Sequence, residues 1–133
     1  MAVLAIALTV LIKLPGYLKF KQYEKQGKAR KNLEQIYDKE MDYFRLHHKF
    51  AESFSELDWK PEMDEVYTYF IGKDSIQSGQ GTHYGLPPDI KSFSNDTNFQ
   101  AVAVGNIDHD ATMDIWSINE KKAISNILND RNN

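Results

Sequence analysis

Apolar and polar positions divide the chain into an uncharged start, a helical middle and a strand-rich second half. Met1 to Ile12 read MAVLAIALTVLI, and the first charge is Lys13. A helix that is apolar on every side needs cover on every side. A spanning helix takes about 20 apolar residues, so this run is short of one by about 8. Nothing basic precedes it, unlike a signal peptide. It starts as though natural residues precede Met1, and its cover is expected from a membrane or from other subunits. From Tyr17 to about Leu57 the pattern is helical, with Leu33, Ile36, Tyr37, Met41 and Phe44 at spacings of three and four. Pro15 predicts a kink and Gly27 a second weak point. The helix is expected to end before Asp58-Trp59-Lys60-Pro61.

In the second half, Val66–Ile71, Phe99–Ile107 and Met113–Ile118 read as strands, rich in β-branched and aromatic residues. Residues 73–98 read as one long loop, of a length usually kept for contact surfaces. The last two strands predict an antiparallel hairpin with a tight connection. Ala123–Leu128 fits a helix face and an edge strand equally. A helix followed by strands predicts an α+β fold, one long bent helix on a small antiparallel sheet. The expected division is an apolar helical segment, 1–25, and a globular head, 26–133, with the 73–98 loop.

Charge sharpens this division. Residues 1–49 sum to +5 and residues 50–133 to −8. Lys19, Lys21, Lys25, Lys28, Arg30 and Lys31 lie close together, opposed only by Glu24. Anionic lipid head groups, nucleic-acid phosphates, acidic patches of neighbouring copies and plain solvent all suit such a segment. A specific nucleic-acid partner is not expected, because the total charge is −3 and no nucleic-acid-binding motif is present.

The candidate chemistry is sparse. With 133 residues the chain has one core, and with no Cys it has no disulfide, Cys-ligated metal or Cys nucleophile. Gly79, Gly81 and Gly85 miss the dinucleotide spacing by one residue, and Pro87-Pro88 block the helix that should follow. No phosphate-binding loop or paired-His zinc motif occurs, and Ser78 lacks a nucleophile's flanking glycines. His47, His48, His83 and His109 read as ordinary surface side chains. The aromatics Tyr17, Phe20, Tyr23, Tyr37, Tyr43, Phe44, Phe50 and Phe54 read as packing rather than as a conducting path. No enzyme is expected. A soluble module binding through the 73–98 loop is a distant third class.

One constellation stands out. Asp108, Asp110 and Asp114 are spaced D-x-D-x-x-x-D about one turn. Two readings stay open. The three carboxyls converge on a calcium ion, with a Thr112 carbonyl added, or they cap backbone amides of the turn. Met113 and Asn119 replace the Gly and Glu of an EF-hand loop, so any ion would pin the hairpin.

These residues resemble the type IV pilins, including the pilin-like subunits of secretion systems. Lys13-Leu-Pro-Gly-Tyr-Leu-Lys-Phe20 is similar to the family's I-P-x-[FY] segment, and Gln26–Leu33 with Ile36-Tyr37 to its A-K-x-N-L-x-x-[IL]-Y stretch. Tyr43-Phe44 with Phe54–Leu57 resembles the helix exit. Gly105–Asp110 with Asp114–Ile118 resembles the C-terminal sheet of one branch of major pilins. The resemblance implies a structural subunit of an extracellular type IV pilus. Such a subunit is held in the bacterial inner membrane by a transmembrane helix, then packed by the pilus assembly machinery with copies of itself into a helical filament on the cell surface. It implies service in adhesion, twitching motility or DNA uptake. The alternative is a pseudopilin or minor pilin of a type II secretion or pilus machine.

It further implies an assembly surface of Ala2, Val3, Leu4, Ile6, Leu8, Val10, Leu11, Ile12 and Leu14, with Pro15 loosening the helix. Leu33, Ile36, Tyr37, Met41 and Phe44 would then pack the helix on the head. The family's leader and Phe-Thr-Leu-Ile-Glu segment would lie before Met1. Many pilins close a C-terminal disulfide loop. Here the Asp cluster is the candidate substitute.

Overall fold

The computed structural model describes residues 2–61, 66–77, 83–107 and 112–128, and only the backbone for 2–19. It is the expected α+β arrangement, one long N-terminal helix on an antiparallel sheet. Helix α1 runs from Ala2 to His47, 46 residues, without a break at Pro15 or Gly27. At 1.5 Å per residue it is about 69 Å long. Pro15 is accommodated within one continuous helix.

The helix ends ten residues earlier than the pattern predicts. His48 takes the left-handed conformation at φ 57°, and its N–H donates to the Phe44 carbonyl at 2.8 Å. That residue position commonly stops helices, though glycine is its usual occupant. The chain then folds back, with the Phe50 N–H on the Asn95 carbonyl at 3.1 Å. A separate helix, α2, covers Phe54–Leu57. Ser53 caps it, its hydroxyl accepting from the Glu56 N–H at 3.2 Å, and Asp58 closes it with φ 52°. The Glu56 carboxylate in turn accepts from the Ser53 hydroxyl at 3.0 Å and from the Glu52 N–H at 3.3 Å.

Among the described residues six strands follow: β1 Tyr67–Ile71, β2 Asp74–Gln77, β3 Phe93–Ser94, β4 Phe99–Gly105, β5 Asp114–Asn119 and β6 Ile124–Leu128. The order is β2-β1-β4-β5-β6, with β3 also paired to β4, and every pair is antiparallel. The supposed loop 73–98 therefore contains two strands. The first returns from β1 through Gly72-Lys73, where Gly72 has φ +55° and supplies the turn. The second half-open choice resolves to a strand, since Ile124–Leu128 pairs with β5. The β4–β5 connection spans residues 106–113 and is longer than a tight turn.

Both faces of the sheet are covered. Phe99, Ala101 and Ala103 of β4 turn to the helix side, where Ala29, Leu33 and Ile36 meet them in the main core. Val102 and Val104 turn the other way, with Phe70 and Ile115, and there Tyr84, Leu86, Ile90 and Met113 close over them. This is period-two alternation with two buried faces. The stretch expected to be a free contact loop is thus partly a lid on the sheet. The Tyr84 N–H fixes it to the Thr68 hydroxyl at 2.9 Å.

Candidate functional site

The informative surface is α1, whose two faces do different things. On the inner face, Gln26, Ala29, Leu33, Ile36 and Glu40 are buried at spacings of three and four. Tyr37, Met41 and Phe44 flank them, partly buried against the same core. Apolar packing is not all that holds the helix. Polar bonds pin it to the sheet along its length.

The first pin is Asp114 at the start of β5, fully buried. Its Oδ1 accepts from Gln26 Nε2 of α1 at 2.9 Å. Its Oδ2 accepts from the Tyr67 hydroxyl at 2.6 Å and from Trp116 Nε1 at 2.8 Å. Asn126 Nδ2 of β6 comes within 3.5 Å. One carboxyl thus joins α1, β1, β5 and β6. Nearby, Lys25 Nζ donates to the Ile107 carbonyl at 2.9 Å, and the Arg30 guanidinium lies 5.7 Å from the centre of the Trp116 ring. Two of the six clustered cations are therefore turned to the head's own sheet side. Further along, Asn32 Nδ2 donates to the Tyr69 hydroxyl at 3.0 Å, and Trp59 Nε1 donates to Gln35 Oε1 at 2.9 Å.

The last pin is Glu40. It is fully buried, and its Oε1 accepts from the Ala51 N–H at 2.7 Å. The Ser94 hydroxyl of β3 lies 3.4 Å from Oε2 and donates at 2.6 Å to the Ala51 carbonyl. Burial pushes the Glu40 carboxyl up to about 8, helped by the charge of Glu56 and opposed by the bonds from Ala51 and Ser94. At neutral pH it is a buried neutral acid. Glu56 itself is held below the usual carboxylate range, chiefly by the Tyr43 hydroxyl that donates to it at 2.7 Å.

The outer face is different. Phe20 and Tyr23 are 61% and 56% exposed. Lys28, Lys31, Glu34 and Asp38 follow in solvent. Such large exposed aromatics on a helix face mark an interaction surface when they continue into a longer apolar stretch.

Of the residues proposed for assembly, Ala2 through Pro15 lie on α1, and their side chains fall outside the described residues. Asp108 and Asp110 also lie outside them, so Asp114 alone of the calcium set is placed, within the network above. Among the described residues no group of three or more His, Asp or Glu is arranged to hold a metal ion. No helix of the described residues is long and apolar enough to cross a membrane, so the transmembrane helix implied by resemblance is not found there. The uncharged run stops at Lys13, short of the length a bilayer needs. Gln26, Asn32 and Glu40 were missed from sequence. For Gln26 and Glu40 the signal is heptad spacing, since each lies seven residues from Leu33.

No protein-family model matches the chain. A search of curated proteins finds similarity to the type IV major pilin protein PilA of Myxococcus xanthus (strain DK1622). The two are 24% identical over 160 aligned positions, which cover 85% of this chain and 72% of the relative. Together with the long helix on an antiparallel sheet, this supports a pilin-like relationship.

Proposed function

We propose that the chain is a filament subunit of a type IV pilus, assembled through the N-terminal part of α1. The observation that carries this is the division of one 46-residue helix. Its second half is pinned to a sheet, while its first holds the uncharged run that precedes Lys13. Copies packed side by side would bury those runs against one another, at roughly 25 cal/mol for each Å² of apolar surface removed from water. The similarity to a major pilin supports the same reading. On this reading the subunit resides in the inner membrane before assembly and on the cell surface after it.

The test is cryo-electron microscopy of filaments sheared from the source cells, at side-chain detail. The expected map traces this chain, with residues 2–15 in the filament core. Filaments built wholly from another chain would overturn the major-subunit reading and favour a minor pilin or pseudopilin.

A further inference from the structure

Between Phe20 and Lys31 the outer side of α1 combines exposed aromatics with cations, as its later turns do not. By helical spacing, Phe20, Gly27 and Lys31 lie directly away from the buried Ala29, Leu33 and Glu40. Phe20 and Tyr23 are large and exposed. Lys21, Lys28 and Lys31 accompany them and Glu24 opposes them, while Lys25 and Arg30 turn to the head. Beyond Lys31 the sign reverses. Glu34, Asp38 and Asp42 take over the outer side, all exposed, with Lys39 opposing.

Aromatic rings beside lysines suit a bilayer surface, where rings sit at head-group level and ammonium groups meet lipid phosphates. The matching charge is anionic. The patch also continues, on one unbroken helix, into the uncharged run before Lys13. A nucleic acid suits the patch but leaves that run uncovered. An upright helix would carry Lys31 about 17 Å past Phe20, while the head-group layer is roughly 5–8 Å deep. The lysines therefore meet lipid together only when α1 leans, outer side down. The head permits this lean, because it packs on the opposite side of the helix. Its charge favours the same orientation, since residues 50–133 sum to −8 and an anionic surface repels them.

We propose that before assembly α1 leans on an anionic lipid surface through Phe20, Tyr23, Lys28 and Lys31, with the contact ending at Glu34 and the sheet held away from the lipid. The proposal rests on the inner-membrane stage of the filament reading. It adds to that stage a lipid charge requirement and an orientation.

The test uses the full chain carrying Gly27→Cys, labelled with a polarity-sensitive fluorophore. The natural sequence has no Cys, and an added Cβ at Gly27 meets nothing within 4 Å. The probes are vesicles of phosphatidylcholine alone or of phosphatidylcholine with phosphatidylglycerol. The expected result is a blue shift on the anionic vesicles only, lost in about 0.5 M salt. Lys28→Gln with Lys31→Gln should raise the lipid concentration required about 25-fold, about fivefold for each lysine. Lys39→Gln should leave it unchanged. The same label on Leu46→Cys, a position 78% exposed and beyond the acidic turns, should not shift. Protein that floats with both kinds of vesicle while the Gly27→Cys label stays silent would overturn the lean and leave the membrane stage standing. Protein that floats with neither would overturn the membrane stage as well. Equal shifts on neutral and anionic vesicles would overturn the charge requirement. A larger shift with duplex DNA than with anionic vesicles, at matched phosphate, would overturn the lipid in favour of a nucleic acid. A full shift with inorganic phosphate alone would overturn the lipid in favour of a small anion.

Discussion

Gln26 of the helix donates to Asp114 of β5 at 2.9 Å across 88 positions of sequence, and the same carboxyl holds Tyr67 and Trp116. We expect Asp114→Ala to destabilise the head by several kcal/mol, since it removes the acceptor of three donors and each buried group left unsatisfied costs about 1–3 kcal/mol. Asp114→Asn, which keeps one acceptor oxygen, should lose less. Urea unfolding of the two variants ranks them, and equal losses would mean that the network contributes little beyond shape.

Glu40 predicts an unusual pH dependence. Its folded value of about 8 lies above the ordinary 4.5, so the folded protein holds a proton that the unfolded chain releases. The stabilising share of this group is complete below pH 4.5 and is lost as pH rises toward 8, at up to about 1.4 kcal/mol per pH unit. Glu40→Gln keeps an acceptor for Ala51 and a donor toward Ser94 without a titrating proton. Thermal melts from pH 5 to 8.5 should show a falling wild-type curve and a flatter one for Glu40→Gln. Parallel curves would assign the slope to other groups.

Gly105 sits opposite both Tyr67 and Asp114 in the sheet. A Cβ there would lie 2.7 Å from Tyr67 Cδ1 and 2.8 Å from the Val66 carbonyl. The Tyr67 ring cannot swing aside without giving up its hydroxyl bond to Asp114. Gly105→Ala should therefore destabilise by about 1–3 kcal/mol, as overpacking does. Tyr67→Phe in the same background, by freeing the ring, should recover part of the loss in calorimetry.

The calcium proposal for Asp108, Asp110 and Asp114 predicts that calcium added to chelator-treated protein raises its melting temperature, and that Asp110→Asn abolishes the rise. A melting temperature indifferent to calcium retires the metal.

The helix was legible because Leu33, Ile36, Tyr37, Met41 and Phe44 repeat at its own period, and the long strands because β-branched residues and aromatics cluster in them. The helix end was not, since His48 in a left-handed conformation lacks the glycine that announces one. Nor were β2 and β3. Asp-Ser-Ile-Gln and Phe-Ser carry little strand preference alone and take their form from β1 and β4. Buried Glu40 and Gln26 resemble any solvated helix residue until their spacing from Leu33 is counted. Asp114 drew notice as a ligand, but its hydrogen-bond partners Gln26 and Tyr67 are distant in sequence and only folding assembles them.

Apolar contacts alone would let a helix roll or slide on a sheet at small cost. Directional bonds from Gln26, Asn32, Gln35 and Glu40 leave α1 one azimuth. Whatever the head presents to its surroundings therefore keeps a constant bearing relative to the helix's far side. A neighbour that grips that far side thereby orients the whole sheet.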